Sequence, residues 1–500
     1  MLGQRIVPTC TSPVARGAAR ARPQRRAPLA SLALLLALCL LVSACASHRF
    51  PDDRDLVFSM AVEASLAERH EAAAAAAQHF LSGSTPDDPR YDRAARLLAN
   101  ALEELELSYA ASLIYLDIAQ ARRDVELVGD AVRGLERISL RYPYDSLTIR
   151  SGFLATEEIT GLPAQQRAFV DFLQGLESMR TGLDTWGQAR FARIPANSPY
   201  FARARYVLAV RDLDHGNLKA ARDALEDILE ARALPEDVAI DSHRALARIA
   251  FEEKRFDDAL QAYEQIKKTA PDDPLLLLEM AWTHYYLGNS RRALGLLVAL
   301  DAPAYANLIA PERFLLEALS LRRLCQFEPA RQAAVRLRAR HGDALADLER
   351  AVPLEDSDAL RAAAGLRTGG KDVTDFRQRL QLERALVQRH TKAFGEALSE
   401  RLESLYARGS EEATRRENES LMTEMIALAE ELLAADEGVR LILHELGVGL
   451  LRGRGRPPGP PEVDTSSLSG AKWVSYRFEG EFWTDELDDI VVIMEDRCID

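Results

Sequence analysis

A short pattern recurs through the middle of this chain and limits what it can fold into. Gly216-Asn217-Leu218 leads to Ala221, Lys254-Arg255-Phe256 to Ala259, Gly288-Asn289-Ser290 to Ala293, and Cys325-Gln326-Phe327 to Ala330. Each is a turn, then an apolar or small residue, then Ala three positions on. Successive units lie roughly 34 to 38 residues apart, a period that marks a repeat array in which each unit buries its apolar face on its neighbours. From Leu56 to about Leu450 apolar residues recur at helical spacing, with Pro and Gly between the periods. Nothing in that stretch alternates as a strand does. The expected fold class is all-α, a helical solenoid, followed by a small β-containing C-terminal tail.

These residues resemble the tetratricopeptide-repeat (TPR) family. The best unit runs from Ile240 to Pro271. Leu246-Ala247 stand on its first helix, Phe256, Ala259 and Tyr263 on its second, and Pro271 closes it. The next unit starts at Pro274 and carries Met280-Ala281, Tyr285, Gly288 and Ala293. The resemblance implies that helices A and B of a unit cross closely, which requires small residues at Ala247, Ala259, Ala281 and Ala293. Gly288 is expected to end a helix at positive φ. Residues 201–345 read as clear repeats and 56–200 as degenerate ones, in which Leu98 takes the place of the small residue of helix A. Residues 346–451 read as long helices capping the solenoid. Phe376, Leu380, Phe394, Leu398, Leu402 and Leu405 line one side, and Leu421, Met425, Leu428 and Leu432 continue it after a break expected near Gly409. Terminal repeats need such a cap to hide their apolar face.

The N-terminus has a different composition. Six arginines without an acid precede an apolar run from Leu29 to Leu41, and Val42-Ser43-Ala44-Cys45 follows. The run is too short to span a bilayer permanently and suits a cleaved signal peptide. The four residues at its end resemble the lipobox of bacterial lipoproteins. That resemblance implies a signal peptide over 1–44, acylation of Cys45, a lipidated tether over 45–55, and, with Ala46 rather than Asp next, an outer-membrane anchor facing the periplasm.

Net charge is −14, and loss of the six leader arginines takes it to about −20. Such a balance excludes nucleic acid as a partner, since phosphates would be repelled. Once the leader and the lipid site are set aside, two cysteines remain, Cys325 and Cys498. They are far apart in sequence, and whether they pair stays open.

Residues 452–470 form a Pro/Gly-rich linker, stiffened by its prolines. Residues 471–500 form an acidic-aromatic tail. Lys472–Phe478 and Asp489–Met494 read as strands, and Trp473, Phe482 and Trp483 are its candidate contact residues. A segment this small makes no core of its own, so it pairs with the body or with a partner's sheet edge.

The chain carries no phosphate-binding loop, no nucleophile elbow and no His-Glu-x-x-His. The acids of the tail do not match an EF-hand loop. No catalytic residue, cofactor or metal is therefore expected. The expected function is a lipid-anchored periplasmic scaffold that binds envelope proteins in the concave TPR groove. The machines open to it are outer-membrane assembly, secretion, cell-wall or gliding motility. The helix register places Tyr206, Arg244, Arg248, His284 and Arg313 on the groove. The arginines are expected either to receive acidic partner segments or to pair with local glutamates. The alternative is an accessory or regulatory subunit of an envelope enzyme.

Overall fold

The computed structural model describes residues 50–142, 159, 161–231, 234–305, 307–452, 491, 492 and 494–498. They belong to the unit Phe50–Asp500. The leader, Cys45, the linker and the aromatic residues Trp473, Phe482 and Trp483 lie outside the described residues. So does the strand expected at 472–478.

Seven helix pairs, A then B, follow one another among the described residues. They are α1 (Arg54–Leu66) with α2 (His70–Ser82), α3 (Tyr91–Glu104) with α4 (Ser108–Ala121), and, after the single helix α5 (Val125–Arg141), α6 (Ala164–Arg180) with α7 (Asp184–Phe191). Then come α8 (Phe201–Asp214) with α9 (Leu218–Leu229), α10 (Glu236–Glu252) with α11 (Phe256–Thr269), α12 (Pro274–Tyr286) with α13 (Ser290–Ala299), and α14 (Glu312–Arg323) with α15 (Phe327–Glu349). A short α16 (Asp358–Ala364) and a long α17 (Thr368–Leu451) complete the set.

One turn joins every pair. Two residues before each B helix the backbone is left-handed, at Glu68, Glu106, Gly182, Gly216, Lys254, Gly288 and Cys325. The next amide reaches back five residues, as in Leu107 N to Leu102 O, Arg255 N to Ala250 O and Asn289 N to His284 O. This is the Schellman closure, which satisfies carbonyls that a helix end otherwise leaves unpaired. Glycine is favoured there because positive φ strains a side chain with a Cβ. Four of the seven positions carry other residues, so tertiary packing imposes the turn.

Close approach of A to B explains the alanines. Three residues into each B helix stands a small residue: Ala73, Ala111, Gly187, Ala221, Ala259, Ala293 or Ala330. Twelve residues earlier on its A helix stands another: Ala61, Ala99, Gly175, Ala209, Ala247, Ala281 or Ala318. Every alanine of both sets is 0% exposed. At Gly175 an added Cβ would lie 2.3 Å from the Phe191 ring. The expectation that Leu98 fills this position is corrected. Ala99 holds it, and Leu98 is a neighbouring core residue.

The buried side chains fall into four successive clusters along the array, as expected when each repeat packs chiefly on its neighbours. The hairpin α17 departs from that rule. Its chain reverses at Gly395, φ 75° and ψ 173°, a conformation essentially confined to glycine. The break expected near Gly409 is therefore corrected. The helix runs on through Gly409, whose missing side chain admits the Tyr109 ring, since a Cβ would sit 2.6 Å from Tyr109 Cε1.

Phe376, Leu380, Phe394, Leu398, Leu402 and Tyr406 of the hairpin join the core of the N-terminal repeats. Met425, Leu428, Leu432, Val439 and Ile442 join the core of α14, α15 and α16. The hairpin thus packs against the early and the late repeats at once, where the sequence predicted only a cap.

Of the tail strand expected at Asp489–Met494, only Val491, Val492 and Met494 are among the described residues, and they do not support it. Val491, Val492 and Met494 carry no strand pairing. They belong to a strap whose backbone amides bond to the first turn of α13 and to the turn before α15: Val492 N to Arg291 O at 3.2 Å and Arg497 N to Leu324 O at 3.0 Å. Among the described residues no strand lies beside them, so no ladder is there for alternation to serve. Cys498 forms a disulfide with Cys325, which settles the open pairing.

Candidate functional site

The A helices present a continuous polar face, and its register follows from helix geometry. On α12, Leu275, Glu279, Trp282 and Tyr286 recur at three- and four-residue spacing and share one side. On α10 the matching side carries Asp237, Asp241, Arg244 and Arg248. Ion pairs join α8 to α10 and α10 to α12, and a hydrogen bond joins α12 to α14. Arg203 of α8 pairs with Asp237 of α10. Arg244 pairs with Asp273 and, at 3.6 Å, with Glu279. Arg248 pairs with Glu279 at 2.5 Å. The Trp282 indole donates to Glu312 of α14 at 3.3 Å. Arg367, just before the hairpin, pairs with Glu424 at 3.0 Å and Glu431 at 2.9 Å of its second arm.

An aromatic patch lies on this face. The Tyr286 ring stacks on Phe256, with centroids 5.4 Å apart, and lies 6.2 Å from Trp282. Phe251 meets Tyr286 edge-on. Tyr286 is 49% exposed and Leu275 is 42% exposed. Large apolar surface beside charged groups is the usual composition of a protein contact.

Three of the five groove residues expected from sequence stand here: Tyr206, Arg244 and Arg248. Tyr206 is half-buried, and burial together with Asp241 raises its hydroxyl pKa, so it stays a neutral donor. The other two stand elsewhere. Arg313 is 5% exposed. Its guanidinium donates to Leu300 O at 3.0 Å and to Asp301, tying down the connection between α13 and α14. His284 lies two residues from both Trp282 and Tyr286, about 200° round the helix from each. There burial and the Arg292 charge lower its pKa to about 4, so its ring is neutral near pH 7. Glu279, Trp282 and Glu312 were not singled out from sequence. The three- and four-residue spacing on α12 was the signal available.

A second concavity, about 460 Å³, lies between α13, α14, α15 and the C-terminal strap. Leu294, Leu297, Leu321, Phe327, Val492 and Met494 line it. Its polar end holds Glu317, whose carboxyl burial pushes up in pKa, paired with Arg336. Among the described residues, no three His, Cys, Asp or Glu side chains gather as a metal site requires. No described helix is long and apolar enough to cross a membrane.

The described residues thus define an all-α helical-repeat protein of TPR-like construction. Among solved structures it is similar to a tetratricopeptide repeat protein from Parabacteroides merdae ATCC 43184. Identity is 10% and the TM-score 0.27, over 57% of this chain and 92% of that one. So slight a likeness carries no weight; the assignment rests on the seven recurring turns and the paired small residues. No protein-family model matches the chain, and no curated protein matches it.

Proposed function

We propose that this chain is a lipid-anchored scaffold of the bacterial cell envelope that binds proteins on its A-helix face. The observation that carries the binding role is the continuous face from α8 to α14, with exposed Tyr286 and Leu275 set among ordered ion pairs. Repeat arrays use such extended faces to hold peptides or partner helices. The anchor rests on Val42-Ser43-Ala44-Cys45, read as a lipobox. The Cys325–Cys498 disulfide favours an oxidising compartment such as the periplasm, because the cytosol keeps such thiols reduced. The outer membrane is the proposed site, by analogy with lipoproteins that lack Asp after the acylated Cys.

In-cell cross-linking and affinity purification of the tagged protein, with Cys45→Ala as control, tests both parts. A defined set of envelope proteins that is lost or displaced in the control is the expected result. Normal fractionation of Cys45→Ala with no stable partner would overturn the anchor and the scaffold together.

A further inference from the structure

We infer that the A-helix face is built for a cationic segment of its partner, one carrying Lys or Arg beside an apolar side chain. This deepens the scaffold reading and rests on it.

The arginines of the face are not available to an acidic partner. Arg203, Arg244 and Arg248 each hold a carboxylate of the next A helix, and Arg367 holds two of the hairpin. Drawing away Arg203, Arg244 or Arg367 would strip Asp237, Asp273 or the hairpin glutamates of the ion pairs described, whereas Glu279 is shared by Arg244 and Arg248. Two carboxylates stand outside this set. Asp241 is exposed on α10 and makes no ion pair among the described residues. Glu312 is exposed on α14, and its one described hydrogen bond comes from the neutral Trp282 indole. Both are held above the usual carboxylate range chiefly by partial burial, which outweighs the pull of Arg244, Arg203 and Arg248 at Asp241 and of the Trp282 hydrogen bond and Arg367 at Glu312; Asp237 raises Asp241 further, and Glu431 and Glu279 raise Glu312. Carboxylates outnumber guanidiniums along the face, so the field there is negative.

Trp282 and Tyr286 stand on α12, in sequence and in space between the helices that carry these two acids. Their ring faces attract cations as well as apolar groups. An arginine or lysine that meets Asp241 or Glu312 therefore brings its methylenes onto aromatic surface. An acidic segment would meet like charge at both positions and find no unpaired guanidinium between them.

Fluorescence anisotropy with two dye-labelled peptides tests this on the full chain. One peptide is built of Arg, Lys and Leu. The other replaces every cation with Glu. Binding of the cationic peptide alone, weakened about tenfold by Asp241→Asn with Glu312→Gln, is the expected result. Those two substitutions keep side-chain shape, and circular dichroism verifies the helices. Equal binding of both peptides, or cationic binding that the double substitution leaves unchanged, would overturn the inference. Failure of both peptides, while a photo-cross-linker at Tyr286 still captures a partner, would overturn the cationic preference and leave the scaffold reading standing. Failure of both peptides and of cross-linking would overturn the two together.

Discussion

The backbone amide of Tyr109 donates to the Glu383 carboxylate at 3.0 Å, across 274 residues of sequence. The Tyr406 hydroxyl donates to the same oxygen at 2.6 Å, and Arg379 pairs with the other at 3.1 Å. Glu383 is 3% exposed. Burial and this carboxylate hold the Tyr406 hydroxyl well above its ordinary pKa, which keeps it a donor. This buried knot joins both arms of the hairpin to α4. Glu383→Ala removes the carboxylate that an amide, a hydroxyl and a guanidinium share. The expected loss is about 3 kcal/mol in chemical denaturation. Hydrogen exchange should quicken in α2 and α4. Unchanged exchange there would mean that the hairpin does not brace the early repeats.

Glycine positions in the hairpin give a second prediction. Gly409→Ala places a methyl against the Tyr109 ring, an overpacking expected to cost about 1–3 kcal/mol. Gly395→Ala forces φ 75° on a residue with a Cβ, at a cost of about 1–3 kcal/mol. Gly447→Ala meets nothing within 4 Å and should be neutral or slightly stabilising. Equal melting temperatures for all three would contradict the packing described.

The repeats were legible because their signal is local. A turn and an Ala three residues beyond the start of helix B recur within a few positions, and the spacing survives even where Lys254 and Cys325 replace glycine at positive φ. Leu98 was misplaced by one residue because only the twelve-residue offset between the two small positions, seen across all seven pairs, fixes the register. The hairpin's apolar stripe was legible from Phe376 to Leu432, whereas its reach to Tyr109 was not, since nothing in the periodicity of a helix names its partner. Tyr206, Arg244 and Arg248 were placed on the face by register. Arg313 was not, because a buried arginine bound to a loop carbonyl reads in sequence like an exposed one. The strap was read as a strand from its branched residues, and only the helix start and the turn it crosses show where its amides bond.

Cutting the disulfide gives a third prediction. It closes a loop of 173 residues, for which the chain-entropy model assigns about 5 kcal/mol against global unfolding. Cys498→Ser should lower the melting temperature and quicken amide exchange at Leu324–Gln326, where Leu324 O accepts from Arg497 N of the strap and Gln326 Nε2 donates to Glu495 O. Reductant should reproduce the effect in the parent protein and have none on the variant. A reductant effect of equal size on both would contradict the assignment.

Protonation of buried histidine gives a fourth. His341 is 5% exposed at a kink in α15, and burial, with Arg340 and Arg313 adding to it, lowers its pKa to about 4. The unfolded chain binds that proton near pH 6.5, so between pH 6.5 and 4 the unfolded state holds more protons than the folded one. Stability therefore falls as pH falls through that window and levels off below it. The contribution of His341 is on the order of 3 kcal/mol. His341→Gln should flatten this part of the denaturation profile. An unchanged slope would show that the imidazole is not neutral in the folded protein.

The most direct measurement is site-specific photo-cross-linking in the native membrane fraction, from Tyr286 on the A-helix face and from Trp186, 67% exposed on the B helix α7, as comparison. A scaffold that works through its A helices gives a defined cross-linked protein from Tyr286 and none from Trp186. The same products from both positions, or products from Trp186 alone, would contradict it.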